Sequence, residues 1–175
     1  SIKREEYELI NKQSCYYIDD ENGSKFNFSL NKDIMTKLPK SNFMPEDIIN
    51  IISSVGCYWS KCSFCSIKEH WKYEPMNYDN IIDNFKVISK YGKNIIRFRD
   101  CCLHPNQLKE ISLRILKNKM DNKWCCRARF EDGFDDDLIE LISQAGCIMI
   151  SFGVESFVPR INKLMNKGIQ LSNIN

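Results

Sequence analysis

The sequence is poor in the features that narrow a function most quickly. Its charges nearly cancel: 25 Lys and Arg stand against 23 Asp and Glu, a formal net charge of +2. So even a balance makes no strong field, and neither nucleic acid nor a membrane surface is indicated as a partner. No apolar run approaches the ~20 residues of a spanning helix. No secretory signal is visible, no low-complexity segment interrupts the chain, and only two histidines are present, His70 and His104. The chain opens at Ser1 rather than Met, which reads as a trimmed chain or a piece of something longer.

What is plentiful is cysteine. Nine occur in 175 residues. The number is odd, the residues cluster locally, and a chain of this size does not need disulfide staples. A reducing cytosol with metal chemistry suits this usage better than secretion, so a cytoplasmic location is expected. Apolar residues make up 43% and charged residues 27%, the balance of one globular domain with a real core.

Three of the cysteines fall in the stretch Val55-Gly56-Cys57-Tyr58-Trp59-Ser60-Lys61-Cys62-Ser63-Phe64-Cys65, spaced Cys-x4-Cys-x2-Cys. Thiolates at such spacing on a loop are ligands that iron–sulfur clusters and zinc select. A closed structural zinc site needs four ligands; a cluster held by three keeps one iron open. The apolar run Ile51-Ile52-Ser53-Ser54-Val55 predicts a strand over about 50–55 that leads straight into the loop. The thiols then sit at the C-terminal mouth of a strand, where α/β proteins place their chemistry.

Residues 1–49 predict a linker or lid, with a short helix from Arg4 to Asn11, a turn at Asp19–Gly23, a short strand or arm around Phe26 and Phe28, and an irregular lead-in bracketed by Pro39 and Pro45. Residues 50–175 carry a regular rhythm. Ile81, Ile82, Phe85 and Ile88 predict a helix over about 78–91, ended by Gly92. Asn94–Arg99 is the second strand, and Pro105 opens a helix carrying Leu108, Ile111 and Ile115. Lys123–Phe130 is the third strand. Asp135, Asp136 and Asp137 gather at the start of the next helix, where the dipole favours acids. Cys147–Gly153 is the fourth strand, and Pro159 opens a last helix that Gly168 stops. Four strand–helix units in succession imply a parallel sheet with right-handed crossovers, flat or curled into a partial barrel.

Strand parity divides the side chains into two faces. Ile96 and Phe98, then Cys126, Ala128 and Phe130, then Ile148, Ile150 and Phe152 make a consistently apolar set that meets the helices. The opposite set lines the concave side and includes Arg97, Arg99, Arg127 and Arg129. Charges there either pair with Asp100, Glu131 or Glu155 or receive an anionic ligand.

Residues 56–65 resemble the cluster loop of radical S-adenosylmethionine (radical SAM) enzymes, one residue longer than the commonest Cys-x3-Cys-x2-Cys. The form Gly-Cys-x-Trp-x-x-Cys-x-Phe-Cys is similar to the subgroup that often carries a cobalamin-binding domain upstream. Ile95–Asp100 resembles that subgroup's second strand. Ser151–Ser156 with Leu164–Gly168 resembles its fourth strand and helix, so the likeness spans about 50–168. The resemblance implies an α/β fold, a partial (β/α)6 barrel of which about four units are present. It implies a [4Fe–4S] cluster on Cys57, Cys62 and Cys65, with S-adenosylmethionine on the fourth iron and reductive cleavage to a 5′-deoxyadenosyl radical. It places Phe64 beside the adenine, Asp100 at the cofactor's amino group, Glu155 at the ribose, Lys167 at the carboxylate, and Ser151 and Arg129 in the same polar wall. Each has a plainer role: Asp100 capping a loop, Glu155 pairing with an arginine, Lys167 capping a helix. A peptide or small-molecule substrate, methylation among the outcomes, and an electron donor such as ferredoxin or flavodoxin are the implied partners. Two strands of a full barrel are missing, as is an Asp-x-His-x-x-Gly stretch that would ligate cobalamin; cobalamin therefore belongs, at most, to a parent protein.

Cys101-Cys102 falls beyond the second strand, with Cys125 facing the same cavity by parity; an auxiliary cluster, a reactive thiol and ordinary burial all suit them. His104 falls at a helix cap near the mouth, His70 beside Trp71, and Trp59 is placed to shield a cluster. Two rivals remain: a non-catalytic zinc or iron–sulfur module, and a thiol oxidoreductase using Cys62-Ser63-Phe64-Cys65, which leaves Cys57 without a role.

Overall fold

The computed structural model describes residues 15–20, 23–30, 48–92 and 95–169. The expected helix at Arg4–Asn11 and the Pro39–Pro45 lead-in lie outside them. Within the N-terminal segment, β1 (Cys15–Asp20) and β2 (Gly23–Phe28) pair antiparallel across the expected turn. The core sheet has four parallel strands in the order β3 (Ile48–Ile51), β6 (Ile95–Phe98), β7 (Lys123–Arg129), β8 (Cys147–Gly153). Between β3 and β6 come β4 (Ser54–Val55), the short α1 (Ile67–His70), β5 (Glu74–Pro75) and α2 (Tyr78–Lys90). Helices α3 (Pro105–Lys117) and α4 (Asp136–Gln144) make the next two crossovers, and α5 (Pro159–Leu164) follows β8. This is an α/β partial barrel of four strand–helix units.

Each long helix starts where the chain supplies a cap. Asn77 accepts from the Asp79 N–H at 2.9 Å, His104 Nδ1 accepts from the Asn106 N–H at 3.1 Å, and Asp135 accepts from the Leu138 N–H at 2.8 Å. The core lies between these helices and the apolar sheet face. Ile81, Phe85, Ile88, Ile96, Leu108, Ile111, Ile115 and Trp124 are fully enclosed. Phe98 packs edge-on to Trp124 with centroids 5.7 Å apart, and the Trp124 indole donates to the Ala145 carbonyl at 2.8 Å.

Two expectations need correction. The first strand ends at Ile51 instead of running on to Val55. Ser53 leaves the ladder because its N–H goes to the Asp100 carboxylate and its carbonyl accepts from the Met76 N–H at 2.8 Å. Ser54 and Val55 instead pair antiparallel with β5. The second correction concerns β8. Trp124 aligns with Cys147 but Cys125 aligns with Met149, so the strand bulges at Ile148. Ile148 is 58% exposed, and Cys147 takes the inward place expected of it. Beyond the bulge the expected parity resumes, with Ile150 packed on the core and Met149 and Ser151 on the concave face.

Candidate active site

The cysteine loop begins with a constraint. Gly56 has φ +72°, and a Cβ there would lie 2.7 Å from the Lys72 carbonyl oxygen. Only glycine lets the chain turn this closely under the backbone leading to β5. The loop then crosses the C-terminal mouth of the sheet and is tied to the end of α5. The Ser63 N–H donates to the Met165 carbonyl at 2.9 Å, and its hydroxyl to Leu164 at 3.0 Å. The Trp59 indole donates to the Asn166 carbonyl at 3.0 Å, and Asn166 Nδ2 donates to the Lys61 carbonyl at 3.0 Å. Gly168 lies under Trp59: a Cβ there would approach the ring to 2.3 Å. Loop and helix end are therefore one unit across more than a hundred residues of sequence.

Between this unit and the ends of β7 and β8 lies a cavity of about 380 Å³. Cys57, Cys62 and Cys65 line one wall, with Cys101 and Cys102 beside them; Arg129, Ser151, Gly153, Glu155, Lys167 and Phe64 line the others. Among the described residues, no three His, Cys, Asp or Glu side chains converge closely enough to hold one metal ion. A single zinc bound at ~2.3 Å would draw its sulfurs to within about 3.8 Å of one another. A cluster that gives each thiolate its own iron makes no such demand.

The wall is electrostatically uneven. Cys57 Sγ is 3.4 Å from Cys102 Sγ. The hydrogen bond with Cys102, with backbone N–H groups of the loop and the charge of Arg129, draws the Cys57 thiol down to about 5 against the effect of burial. Cys102 moves the other way, pushed up by its bond to Cys57 and by burial. Burial pushes Cys62 up. Arg129 stacks on Trp59, its guanidinium carbon 4.0 Å from the ring centroid, and stands 3.6 Å from Glu131. Its side chain is only 5% exposed, yet Nε and Nη1 have no hydrogen-bond acceptor among the described residues. A buried cation with spare donors suits an anionic guest.

Most residues expected at the site line this cavity. Lys167 is buried and bonds Glu155 at 3.1 Å, so these two meet each other; Lys167 Nζ also stands 5.7 Å from the Phe64 ring. Glu155 holds the left-handed φ of +67°, a conformation that costs a non-glycine residue about 1–2 kcal/mol. Phe64 is 56% exposed in the wall.

Asp100 stands apart. It is buried, and its carboxylate accepts the Ser53 N–H at 3.0 and 3.1 Å, the Ser53 hydroxyl at 2.8 Å and the Ser54 hydroxyl at 2.6 Å. It does not line the cavity. These bonds match the plainer role expected of it, fastening the loop after the first strand, and its direction past the end of β6 is set by the Ser53 and Ser54 donors. Gln107 on α3 completes the knot, its Nε2 donating to Ser53 Oγ at 3.0 Å. The Trp59–Asn166 and Ser63–Leu164 ties had no signal, since they join loop ends that only the fold brings together. His104 caps α3 as expected and packs on Tyr58, centroids 4.9 Å apart; Tyr58 in turn donates to Glu131.

The family model for the radical SAM superfamily matches residues 51–174. The chain belongs to the radical SAM superfamily. An uncharacterized methyltransferase of Pyrococcus horikoshii is 28% identical over 124 residues, covering 68% of this chain and 27% of its own length. The anaerobic magnesium-protoporphyrin IX monomethyl ester cyclase of Rubrivivax gelatinosus is 26% identical over 117 residues, covering 64% and 21%. Among solved structures, the cobalamin-dependent radical SAM enzyme OxsB, with aqua-cobalamin and S-adenosylmethionine bound, superposes with a TM-score of 0.58 at 17% identity. That match covers 97% of this chain and 28% of OxsB, and shows the shared fold. The chain thus spans about a quarter of the length of the curated relatives it matches. These two relatives are enzymes by name, a methyltransferase and a cyclase. No helix among the described residues is long and apolar enough to cross a membrane.

Proposed function

We propose that this chain is the radical SAM core of an enzyme that binds a [4Fe–4S] cluster and S-adenosylmethionine and starts radical modification of a peptide or small molecule. One observation carries the proposal most directly. The three thiols of the Cys-x4-Cys-x2-Cys loop share one cavity with a buried arginine that has donors to spare. Cys57, Cys62 and Cys65 would hold three irons. When bound, the cluster supplies the electron that breaks the sulfonium C–S bond.

The chain's own residues bind and orient. Arg129 and Lys167 offer cationic donors to the methionine carboxylate, and Glu155, released from Lys167, offers acceptors to ribose hydroxyls. Phe64 gives an apolar surface to the adenine, and Ser151 a hydroxyl from the cavity floor. Trp59, stacked between Arg129 and Gly168, excludes water from that side. The electron comes from a small donor such as ferredoxin or flavodoxin. The relative named as a methyltransferase favours methyl transfer as the outcome, with cobalamin, where used, carried by the rest of the parent protein.

Anaerobic reconstitution of the chain with iron and sulfide tests this. About four irons and four sulfides per chain are expected, with 5′-deoxyadenosine released on adding dithionite and S-adenosylmethionine. Zinc retained without sulfide would instead establish the non-catalytic module.

A further inference from the structure

Below the cysteine cavity, along the concave face of the sheet, lies a second cavity of about 150 Å³. It is lined by Arg97, Arg99 and Arg127 with Cys125, Met149 and Ser151. Strand register explains the grouping. Arg97 aligns with Cys125 and Cys125 with Met149; two residues on, Arg127 aligns with Ser151; two more, Arg129 aligns with Gly153 at the cysteine cavity. Each step is about 6.6 Å along the strands. The two cavities are thus successive layers of one concave surface, and Arg127 and Ser151 belong to both.

The acids that might neutralise this layer are committed elsewhere. Asp100 is buried and held by Ser53 and Ser54. Glu131 meets Arg129 and Tyr58, and Glu155 meets Lys167. Among the described residues, Arg97, Arg99 and Arg127 have no acidic partner. Arg97 is half-buried and Arg99 and Arg127 reach solvent at the cavity rim, so an anion can enter and meet guanidinium forks that no carboxylate occupies. Such a fork matches carboxylate and phosphate oxygens, two bonds at a time.

We propose that this layer is the substrate subsite, and that it takes a small molecule carrying a phosphate or carboxylate group, held by Arg97, Arg99 and Arg127. As a substrate assignment it rests on the radical SAM reading above. The anion would anchor one end of the molecule and leave the remainder one layer from the cysteine cavity. An acidic small molecule is favoured over a peptide, because the charge is concentrated in a cavity of this size rather than spread along a groove.

Calorimetric titration of the full chain, without iron, with inorganic phosphate, pyrophosphate and citrate tests the site apart from the cluster. At least one anion should bind, less tightly as salt is raised. Arg97→Gln and Arg127→Gln should each weaken that binding by about tenfold, the scale of one charge-assisted hydrogen bond. Arg127→Lys should retain part of it. Arg160→Gln, on α5 and outside both cavities, should leave it unchanged, and circular dichroism should show every variant folded as the parent. Preference for pyrophosphate over citrate would assign a phosphorylated substrate, and the reverse preference a polycarboxylate. No binding of any anion, or equal weakening by Arg160→Gln, would overturn the proposal. Cluster assembly is read separately by iron and sulfide content. A cluster without anion binding sinks this subsite alone; anion binding without a cluster sinks the radical SAM reading and leaves an anion site.

Discussion

At Gly56 the backbone enters the left-handed region directly beneath the Lys72 carbonyl. Alanine there brings both an unfavourable φ and a carbon against backbone that has no rotamer to move. Gly56→Ala should cost about 1–3 kcal/mol, seen as a lower urea midpoint, and should lower the iron taken up on reconstitution. Asp100 makes a different prediction. Burial raises its carboxyl pKa above the ordinary 3.8, although the Ser54 and Ser53 donors oppose the shift. The folded chain therefore keeps the proton at pH values where the unfolded chain has lost it. Stability must fall as pH rises from the ordinary value through the raised one. In urea titrations, the advantage of wild type over Asp100→Asn should shrink across that window. A constant difference would mean that the carboxyl does not change charge there.

Among the elements, the tie between the cysteine loop and the end of α5 is the most testable. Asn166 holds φ +50° and donates to the Lys61 carbonyl. Asn166→Gly keeps the turn and loses the bond, at ~1 kcal/mol. Asn166→Ala also loses the easy left-handed backbone and should cost about 1 kcal/mol more. Amide exchange in residues 59–65 should quicken in the same order. Here the limits of sequence become physical. The helices over 78–90, 105–117 and 136–144 were legible because apolar spacing and caps are local. The concave arginines were legible because parity is local too. The end of β3 at Ile51 was hidden, since an acid 47 residues away captures Ser53. The Ile148 bulge was hidden as well: an alternating apolar run does not reveal that Trp124 fixes the start of β8 through Ala145. Within the site, the thiols were plain from spacing, while the Cys57–Cys102 contact and the Trp59–Arg129 stack depend on the fold.

For the whole molecule, the consequence of a four-strand sheet is an edge. Among the described residues β8 pairs only with β7, and Ile148 and Met149 stand more than half exposed on it. A bare strand with apolar side chains is a template for another copy. The chain alone should self-associate with rising concentration. Ile148→Lys should reduce light scattering while moving the thermal midpoint little, since the side chain is already in solvent. A midpoint falling by many degrees would mean that Ile148 is packed in solution.

The bridge from Trp59 and Ser63 to residues 164–168 also makes a reporter of the far end of the domain. Whatever loads the thiols must settle Lys167, Gly168 and the close of α5 at the same moment, because the two ends share their hydrogen bonds. By linkage, the loaded chain should resist proteolysis near Met165. A protease site a hundred residues downstream would then read out whether the sulfurs are occupied, without any measurement of iron.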